Sequence, residues 1–342
     1  MTSSGEVPIV AIHALKSSSD DKISRVFGDI YDRISELGAQ PVVTRDTKTF
    51  DQAEGTFSRY FLYEGRLPDR RLVVHMGALA IDAALNKTGG LNSQWVPLLS
   101  HPELRRFCND KWRVNQLLSD VQPQTLLLPA HAKNDLEQAL HALHGPWAAV
   151  KRTVGYGGKA TYVGPKAEVY QTVIEALAWR ELDSTTDLLV QAYRDTSGPL
   201  PGLRGINDAD TDRLASAQPK ELRLYMIDDQ LSLGVARVGA ADRGEDIWTF
   251  VDQDSIPADA VSLAQTATRL IQAEVGKPDS YIGVDLYWDN LQGRWQIGEC
   301  NGRNPAYIKH VENAEFARRQ RRDIGSKLVE MAQRYQSLGE EK

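Results

Sequence analysis

The chain has 342 residues, 42% of them hydrophobic and 25% charged. That is too long for one simple core and too apolar for a disordered chain, so two or three folded domains are expected. The formal charge of −6 lacks the basic excess of a general nucleic-acid binder, which excludes that class and leaves room only for local basic pockets. No apolar run approaches the length of a membrane span, and the polar opening MTSSGE is not that of a signal peptide. The two cysteines, Cys108 and Cys300, stand far apart without metal-ligand spacing, which fits a reduced, cytoplasmic setting.

In chain order, VPIVAIHAL reads as a buried first strand. Asp20–Leu37 carries apolar residues at helical spacing (Ile23, Val26, Phe27, Ile30, Ile34, Leu37) and runs into Gly38, a C-cap signal. PVVT follows as a second strand and LVVHMG, at 72–77, as a third. Strand–helix–strand order with short Val/Ile runs predicts a parallel α/β domain over 1–107. Residues 110–121 predict a short helix, Thr125–Leu128 a strand and Asn134–Leu143 a helix. WAAVKRTVGYGGKATYVG then reads as strand, glycine-rich turn, strand; Lys166–Leu182 is helical and DLLVQAYR a strand, closing a small second domain at 108–192.

The stretch 195–219 is rich in Gly, Pro, Asp and Ser and reads as a loop or insertion. KELRLYMID and LSLGVARVG predict paired strands around a turn at Asp228–Gln230. Ala258–Val275 is helical, and a last helix runs from about Ala314 to Gln336, so 193–342 is expected as a third unit. Its basic run Arg318–Arg322 is expected on a solvated helical face. There is no internal repeat.

Tyr281–Pro305, YIGVDLYWDNLQGRWQIGECNGRNP, is the segment richest in chemistry. It reads as two strands joined by a polar turn near Leu291–Gly293. Glu299 and Asn301 are two apart and project from one face of their strand, and the hairpin sets Asp285 roughly opposite Glu299. Two carboxylates and an amide oxygen on one face repel unless a cation sits among them. Hard oxygen ligands of this kind suit Mg²⁺, which usually takes one or two carboxylates and fills its octahedron with water and phosphate. The plain alternative is a solvated hairpin; Gly298 and the sequence Gly302–Arg303–Asn304–Pro305 set the second strand apart from an ordinary surface strand. Cys300, between Glu299 and Asn301, faces the other side as a small core residue.

Val154–Ala160, VGYGGKA, follows a strand directly, and its glycines let backbone N–H groups approach phosphate oxygens. It is not a Walker A loop, because Lys159 is followed by Ala160 and no glycine stands five positions before Gly158. It fits G-x-G-x-x-A formally, with Glu175 downstream for a ribose, but that fingerprint needs a helix where Ala160–Pro165 reads as a strand. A hairpin flap over phosphates, with Lys151 reaching them from the strand, and an inert turn are the other readings.

Alternation in Glu221–Leu222–Arg223–Leu224–Tyr225 turns Arg223 away from the core, and a hairpin centred near Gln230 places Arg237 opposite it. Like charges directly opposed across strands are unfavourable, and an anion between them removes the cost. Two solvated arginines are the plain alternative. Arg303, Asn304 and Lys309 follow the hairpin and are candidates for a substrate carboxylate or phosphate. His13, after the first strand with Ser17–Ser19 beside it, and His75 read as loop and structural residues.

The order of these features is Asp110–Lys111 opening a helix, Val150–Lys151 before the glycine loop, a Gln191–Ala192–Tyr193 strand end, an E-x-R strand, a second arginine strand, then Asp…Glu-x-Asn. This resembles the ATP-grasp superfamily over about residues 105–310, nearest in pattern to its glutathione synthetase and ribosomal-protein glutamate ligase branch. The resemblance implies an α/β and α+β protein of the ATP-grasp fold, with a preceding parallel α/β domain and two α+β subdomains clasping ATP. It implies that Lys111 and Lys151 contact the nucleotide phosphates and that Gly155, Gly157 and Gly158 form a flap. Gln191 and Tyr193 would offer the backbone edge that reads adenine, and Asp285, Glu299 and Asn301 would hold one or two Mg²⁺ or Mn²⁺ ions. Arg223, Arg237 and Arg303 would act on the transferring phosphoryl group and substrate. The family often has an acidic residue where Gln191 stands.

These expectations converge on an ATP-dependent ligase that activates a carboxylate as an acyl phosphate and joins it to an amine, such as an amino acid or peptide. A homodimer is what the resemblance suggests. A nucleotide-binding regulatory protein of the synapsin type and an ATP-grasp phosphotransferase are the rival readings.

Overall fold

The computed structural model describes residues 9–13, 20–44, 60–64, 98–99, 102–154, 161–179, 185–193, 219–239, 246–302 and 314–339, with the isolated positions 182, 200, 201 and 203. Three sheets organise them. The first is parallel, with β1 (Ile9–His13) between β2 (Gln40–Thr44) and β3 (Tyr60–Glu64), and the short β4 (Leu98–Leu99) beside β3. Parallel neighbours need a crossover, and α1 (Asp20–Glu36) supplies it between β1 and β2. It stops at Gly38, whose φ of +80° is the left-handed conformation that glycine adopts freely. The strand expected at 72–77, with His75, lies outside the described residues. The pattern reading does not anticipate β3.

Two helices follow, α2 (Pro102–Asn109) and α3 (Lys111–Leu117). Asp110 separates them and caps the second, its carboxylate accepting the N–H groups of Trp112 and Arg113 at 3.1 and 3.2 Å. The middle sheet is antiparallel, in the order β5 (Thr125–Leu128), β8 (Leu188–Ala192), β6 (Trp147–Arg152), β7 (Thr161–Pro165). One face buries Val150, Leu188 and Val190 against α4 (Leu136–Ala142) and α5 (Lys166–Ala178), through Leu140, Val169 and Val173. Because side chains alternate along a strand, Lys151 and Gln191 must lie on the other face.

The third sheet is antiparallel, in the order β11 (Asp246–Val251), β10 (Gln230–Gly239), β9 (Pro219–Ile227), β12 (Tyr281–Asp289), β13 (Arg294–Asn301). Alternation on β9 sends Leu222, Leu224 and Met226 into a core with Leu104, Phe107, Ala264 and Ile271, the last two from α6 (Ala258–Val275). Tyr225 and Ile227 go to the other face and pack with Val10, Ile30 and Ile34 from the start of the chain and Ile324 and Leu328 from α7 (Ala314–Gly339). One apolar core is therefore built from both ends of the chain. Gly325 makes the α1–α7 approach tight enough that an added Cβ would meet the Arg33 Cβ at 3.0 Å and the Ile30 carbonyl oxygen at 3.1 Å.

The basic run on α7 is more than a solvated face. Arg321 reaches Asp29 at 2.6 Å and Arg322 reaches Glu36 at 2.6 Å, both on α1. The acidic partners are far away in sequence, so spacing on α7 alone does not reveal them. Among the described residues, no helix is long and apolar enough to cross a membrane.

Candidate functional site

The uncovered end of the third sheet carries the charged residues. The register pairs Asp285 with Arg223 on one side and with Glu299 on the other. Asn301 pairs with Gly283, one step along the same face. Arg223 donates two N–H groups to the Asp285 carboxylate, the Nη2–Oδ2 bond measuring 2.6 Å, and Asn301 Nδ2 donates to Oδ2 at 3.0 Å. This two-pronged geometry is the strong form of a charge-assisted bond.

The expected Arg223–Arg237 opposition is not what the strands form. Asp228, at φ 52°, closes a two-residue turn with Asp229, and a register shift near Leu231–Leu233 leaves Arg223 opposite Val235 and Arg237 opposite Glu221. The turn is shorter than a hairpin centred on Gln230, which moves the partner strand by two residues. Arg237 Nη1 donates to Glu221 at 3.0 Å, and Glu221 also lies 3.7 Å from Arg223. Glu221 therefore bridges the two arginines, a role its place in the E-x-R pattern does not disclose without the register.

Glu299 is engaged from a different direction. Lys111, at the start of α3, lies 3.2 Å from its carboxylate. Lys151, on β6, reaches the same cleft and donates to Gln191 Oε1 at 2.9 Å. Burial lowers the Lys151 pKa to about 8, with Lys111 pushing down and Glu299 pulling up. Burial raises the Asp285 pKa to about 7 against the pull of Arg223, with Glu221 and Glu299 adding to the rise. Lys111, Lys151, Gln191 and Glu299 line one cleft between the middle and third sheets, together with Cys108 and Cys300. Burial also pushes both thiols up, Cys108 to about 12, so they are inert wall residues.

Gln191 differs from expectation in one respect. Strand β8 is internal to its sheet, so the Gln191 backbone faces Thr125 on one side and Ala149 on the other. Its side chain, not a free backbone edge, faces the cleft. Tyr193 follows the strand, donates its N–H to the Trp147 carbonyl at 3.2 Å and packs its ring 6.2 Å from the Trp147 indole. The glycine flap, Gly155, Gly157 and Gly158, lies outside the described residues, as do Arg303, Lys309, Ser17–Ser19 and nearly all of 195–219. His13 is the last residue of β1.

The peculiarity of Gly298 has a local cause. Asp285 pairs with Glu299 and Leu286 with Ile297, so Gly298 is the extra residue of a β-bulge. An added Cβ there would fall 2.3 Å from the Tyr287 ring. The missing side chain leaves room for that ring, and the register keeps Glu299 opposite Asp285.

The donors suit a hard cation. Asp285 and Glu299 offer carboxylates, Asn301 an amide, and no sulfur or imidazole is among them. Among the described residues no group of three or more His, Cys, Asp or Glu side chains is gathered for a metal. A pair of carboxylates with an amide is nonetheless the usual protein share for Mg²⁺, which leaves its other positions to water and phosphate.

No protein-family model matches this chain, and no curated protein matches its sequence. Solved structures do match over almost its whole length. The D-cycloserine synthetase DcsG is 17% identical over 94% of this chain and 99% of that one, with a TM-score of 0.57. The D-alanine–D-alanine ligase of Bacillus anthracis complexed with ATP is 11% identical over 96% and 99%, with a TM-score of 0.56. The ATP-grasp ligase PsnB complexed with the precursor peptide PsnA2 and AMPPNP is 15% identical over 97% and 99%, with a TM-score of 0.54. The chain thus has the ATP-grasp fold, in the form shared by these ligases.

Proposed function

We propose that the protein is an ATP-dependent carboxylate–amine ligase. The observation that carries this is the meeting of Lys111 and Lys151 with the Asp285–Glu299 pair across a cleft between two antiparallel sheets. Phosphoryl transfer asks little covalent chemistry of a protein; it asks for positioning and for charge at the phosphate oxygens. Two lysines and two arginines supply that charge, and charge shielded from water acts more strongly than charge in water.

The roles follow from position. Lys111 and Lys151 bind phosphate oxygens of ATP, and the side of the cleft near Gln191 and Tyr193 receives the base. Asp285, Glu299 and Asn301 would hold Mg²⁺, which when bound neutralises phosphate oxygens. Arg223 and Arg237 face the transferring group, which a substrate carboxylate takes to become an acyl phosphate. An amine then displaces phosphate, giving an amide with ADP as the other product. Gly155, Gly157 and Gly158 act as a flap that excludes water, and Arg303 helps to hold substrate. Neither buried cysteine is a nucleophile, and none is needed. The neighbours, a D-cycloserine synthetase, a D-alanine–D-alanine ligase and an ATP-grasp ligase complexed with a precursor peptide, support an amino acid or peptide as substrate.

The test is an ADP-release screen over amino acids and dipeptides, with product mass measured alongside. Turnover that depends on an amine, with a product heavier by one dehydrated amine, is the expected result. Turnover that needs only a hydroxyl acceptor makes the protein a phosphotransferase. Nucleotide binding without any turnover leaves a synapsin-like scaffold and ends the ligase reading.

A further inference from the structure

Beneath Lys151 lies a closed chain of polar side chains that none of the assigned roles uses. Gln191 takes the Lys151 ammonium proton on Oε1 at 2.9 Å, and its Nε2 donates to Thr125 Oγ1 at 2.8 Å. Thr125 in turn donates to the Pro123 carbonyl at 2.8 Å. Asn115 Nδ2 gives one N–H to Thr125 Oγ1 at 3.1 Å and the other to Gln122 Oε1 at 2.8 Å. Asn115, Gln122 and Gln191 are each under 8% exposed.

The chain has a fixed direction. A carbonyl oxygen only accepts, so Pro123 claims the single hydroxyl proton of Thr125. The Thr125 oxygen is left with two lone pairs, and both amides must turn their NH₂ groups to it. Gln191 then has its carbonyl oxygen pointing the other way, at Lys151. Without the hydroxyl only the Lys151 ammonium would favour that orientation, and Gln191 Nε2 would lose its buried acceptor, letting the side chain leave its place. The hydroxyl thus fixes where the amide oxygen sits as it meets the lysine.

We infer that Thr125 is a positioning residue for the nucleotide phosphates: through Gln191 it aims the Lys151 ammonium into the cleft. This also gives a reason for a neutral amide at 191, where the resembled family often has an acid. A carboxylate there would compete with phosphate for Lys151, whereas an amide oxygen orients the ammonium and leaves its charge for the ligand. The inference rests on Lys151 contacting phosphate, and the experiment separates the two.

Affinities for adenosine and for Mg²⁺·AMPPNP are measured by calorimetry for the wild type, Thr125→Val, Thr125→Ser and Lys151→Met, with the Thr125→Val/Lys151→Met double variant. Misdirection of one charged hydrogen bond predicts that Thr125→Val weakens AMPPNP about tenfold and leaves adenosine unchanged, and that serine restores the wild-type value. The double variant should bind no worse than Lys151→Met alone, since both changes remove the same contact. Equal losses for adenosine and AMPPNP, or losses that add in the double variant, would overturn the inference by making Thr125 a general structural support. Unchanged AMPPNP affinity in folded Thr125→Val would overturn it as well. Should Thr125→Val melt too low to use, Thr125→Cys keeps a similar volume with a much weaker hydrogen-bonding group and carries the same expectation. If Lys151→Met itself leaves AMPPNP binding intact, the phosphate role of Lys151 falls, and the positioning role with it.

Discussion

Arg223 holds Asp285 in a two-pronged grip across adjacent strands, at the same register at which Asp285 faces Glu299. Asp285 is 5% exposed, so this guanidinium is what keeps its charge tolerable inside the protein. Lys111 does the corresponding job for Glu299. Arg223 and Lys111 thus neutralise Asp285 and Glu299. Under the proposed roles, metal and nucleotide bind by exchanging these partners, which couples the two events.

Asp285→Asn tests that coupling. It removes the carboxylate proposed for the metal and leaves Arg223 with Glu221 as an acidic neighbour. Mg²⁺-dependent turnover is expected to fall by about 10² or more, as for loss of one strong transition-state contact. Metal-free AMPPNP, titrated in the presence of a chelator, is expected to bind more tightly than to the wild type. Full activity in this variant would remove Asp285 from the metal set.

The site predicts a narrow pH range. Binding of Mg²⁺·AMPPNP needs Asp285 ionised and Lys151 protonated. Affinity should rise as the pH climbs through about 7 and fall as it climbs through about 8. The stability of the ligand-free protein follows a different sign. Asp285 has its folded pKa raised from 3.8, so its contribution is complete below about pH 3.8 and is lost as the pH rises through about 7. Lys151 has its folded pKa lowered from 10.5, so its contribution is present above about pH 10.5 and is lost as the pH falls through about 8. Calorimetric titrations at a series of pH values check the first statement; a flat profile contradicts it.

Gly298→Ala should be costly out of proportion to its size. The new methyl meets the Tyr287 ring at 2.3 Å, and the half-buried ring has to move away. Overpacking of this kind costs about 1–3 kcal/mol, read from urea denaturation. The displaced ring should also shift Glu299 and weaken Mg²⁺·AMPPNP. A neutral effect on both would mean that the bulge has more room than its geometry indicates.

Lys327 offers a stability test away from the cleft. It is 4% exposed and lies 2.5 Å from Asp228, 3.1 Å from Asp279 and 2.8 Å from Glu330. Lys327→Met strands two partly or wholly buried aspartates, of which Asp279 keeps Arg334 as its partner. A loss of about 3–5 kcal/mol is expected, with nucleotide affinity unchanged once the variant is folded. A loss under about 1 kcal/mol would show that water reaches this cluster.

Periodicity and turn chemistry carried most of the local structure. The helix Ala258–Val275 and the Asp285–Glu299 hairpin are legible because their apolar spacing and flanking glycines agree. The Arg223–Arg237 register was not, because the turn closes at Asp228–Asp229, ahead of Gln230, and sequence spacing locates neither that turn nor the one-residue bulge after it. Thr125 and Asn115 carry no motif, and the E-x-R pattern does not disclose what Glu221 bridges; their meaning comes from what separate segments bring beside them. The partners of Arg321 and Arg322 lie near the other end of the chain, beyond the reach of any local pattern.

Among the described residues, the apolar core of the middle sheet draws on 126–192, while the first and last segments of the chain co-own another. Polar bonds join the middle sheet to its surroundings, such as the Lys111 N–H to the Thr153 carbonyl at 2.9 Å and the Asn115–Thr125 pair. Water can replace bonds of that kind at little expense, whereas parting a greasy seam is dear. A seam held by such bonds runs along the wall of the proposed nucleotide cleft, and shortening the chain at its C-terminus would instead unroof the sheet at its N-terminus.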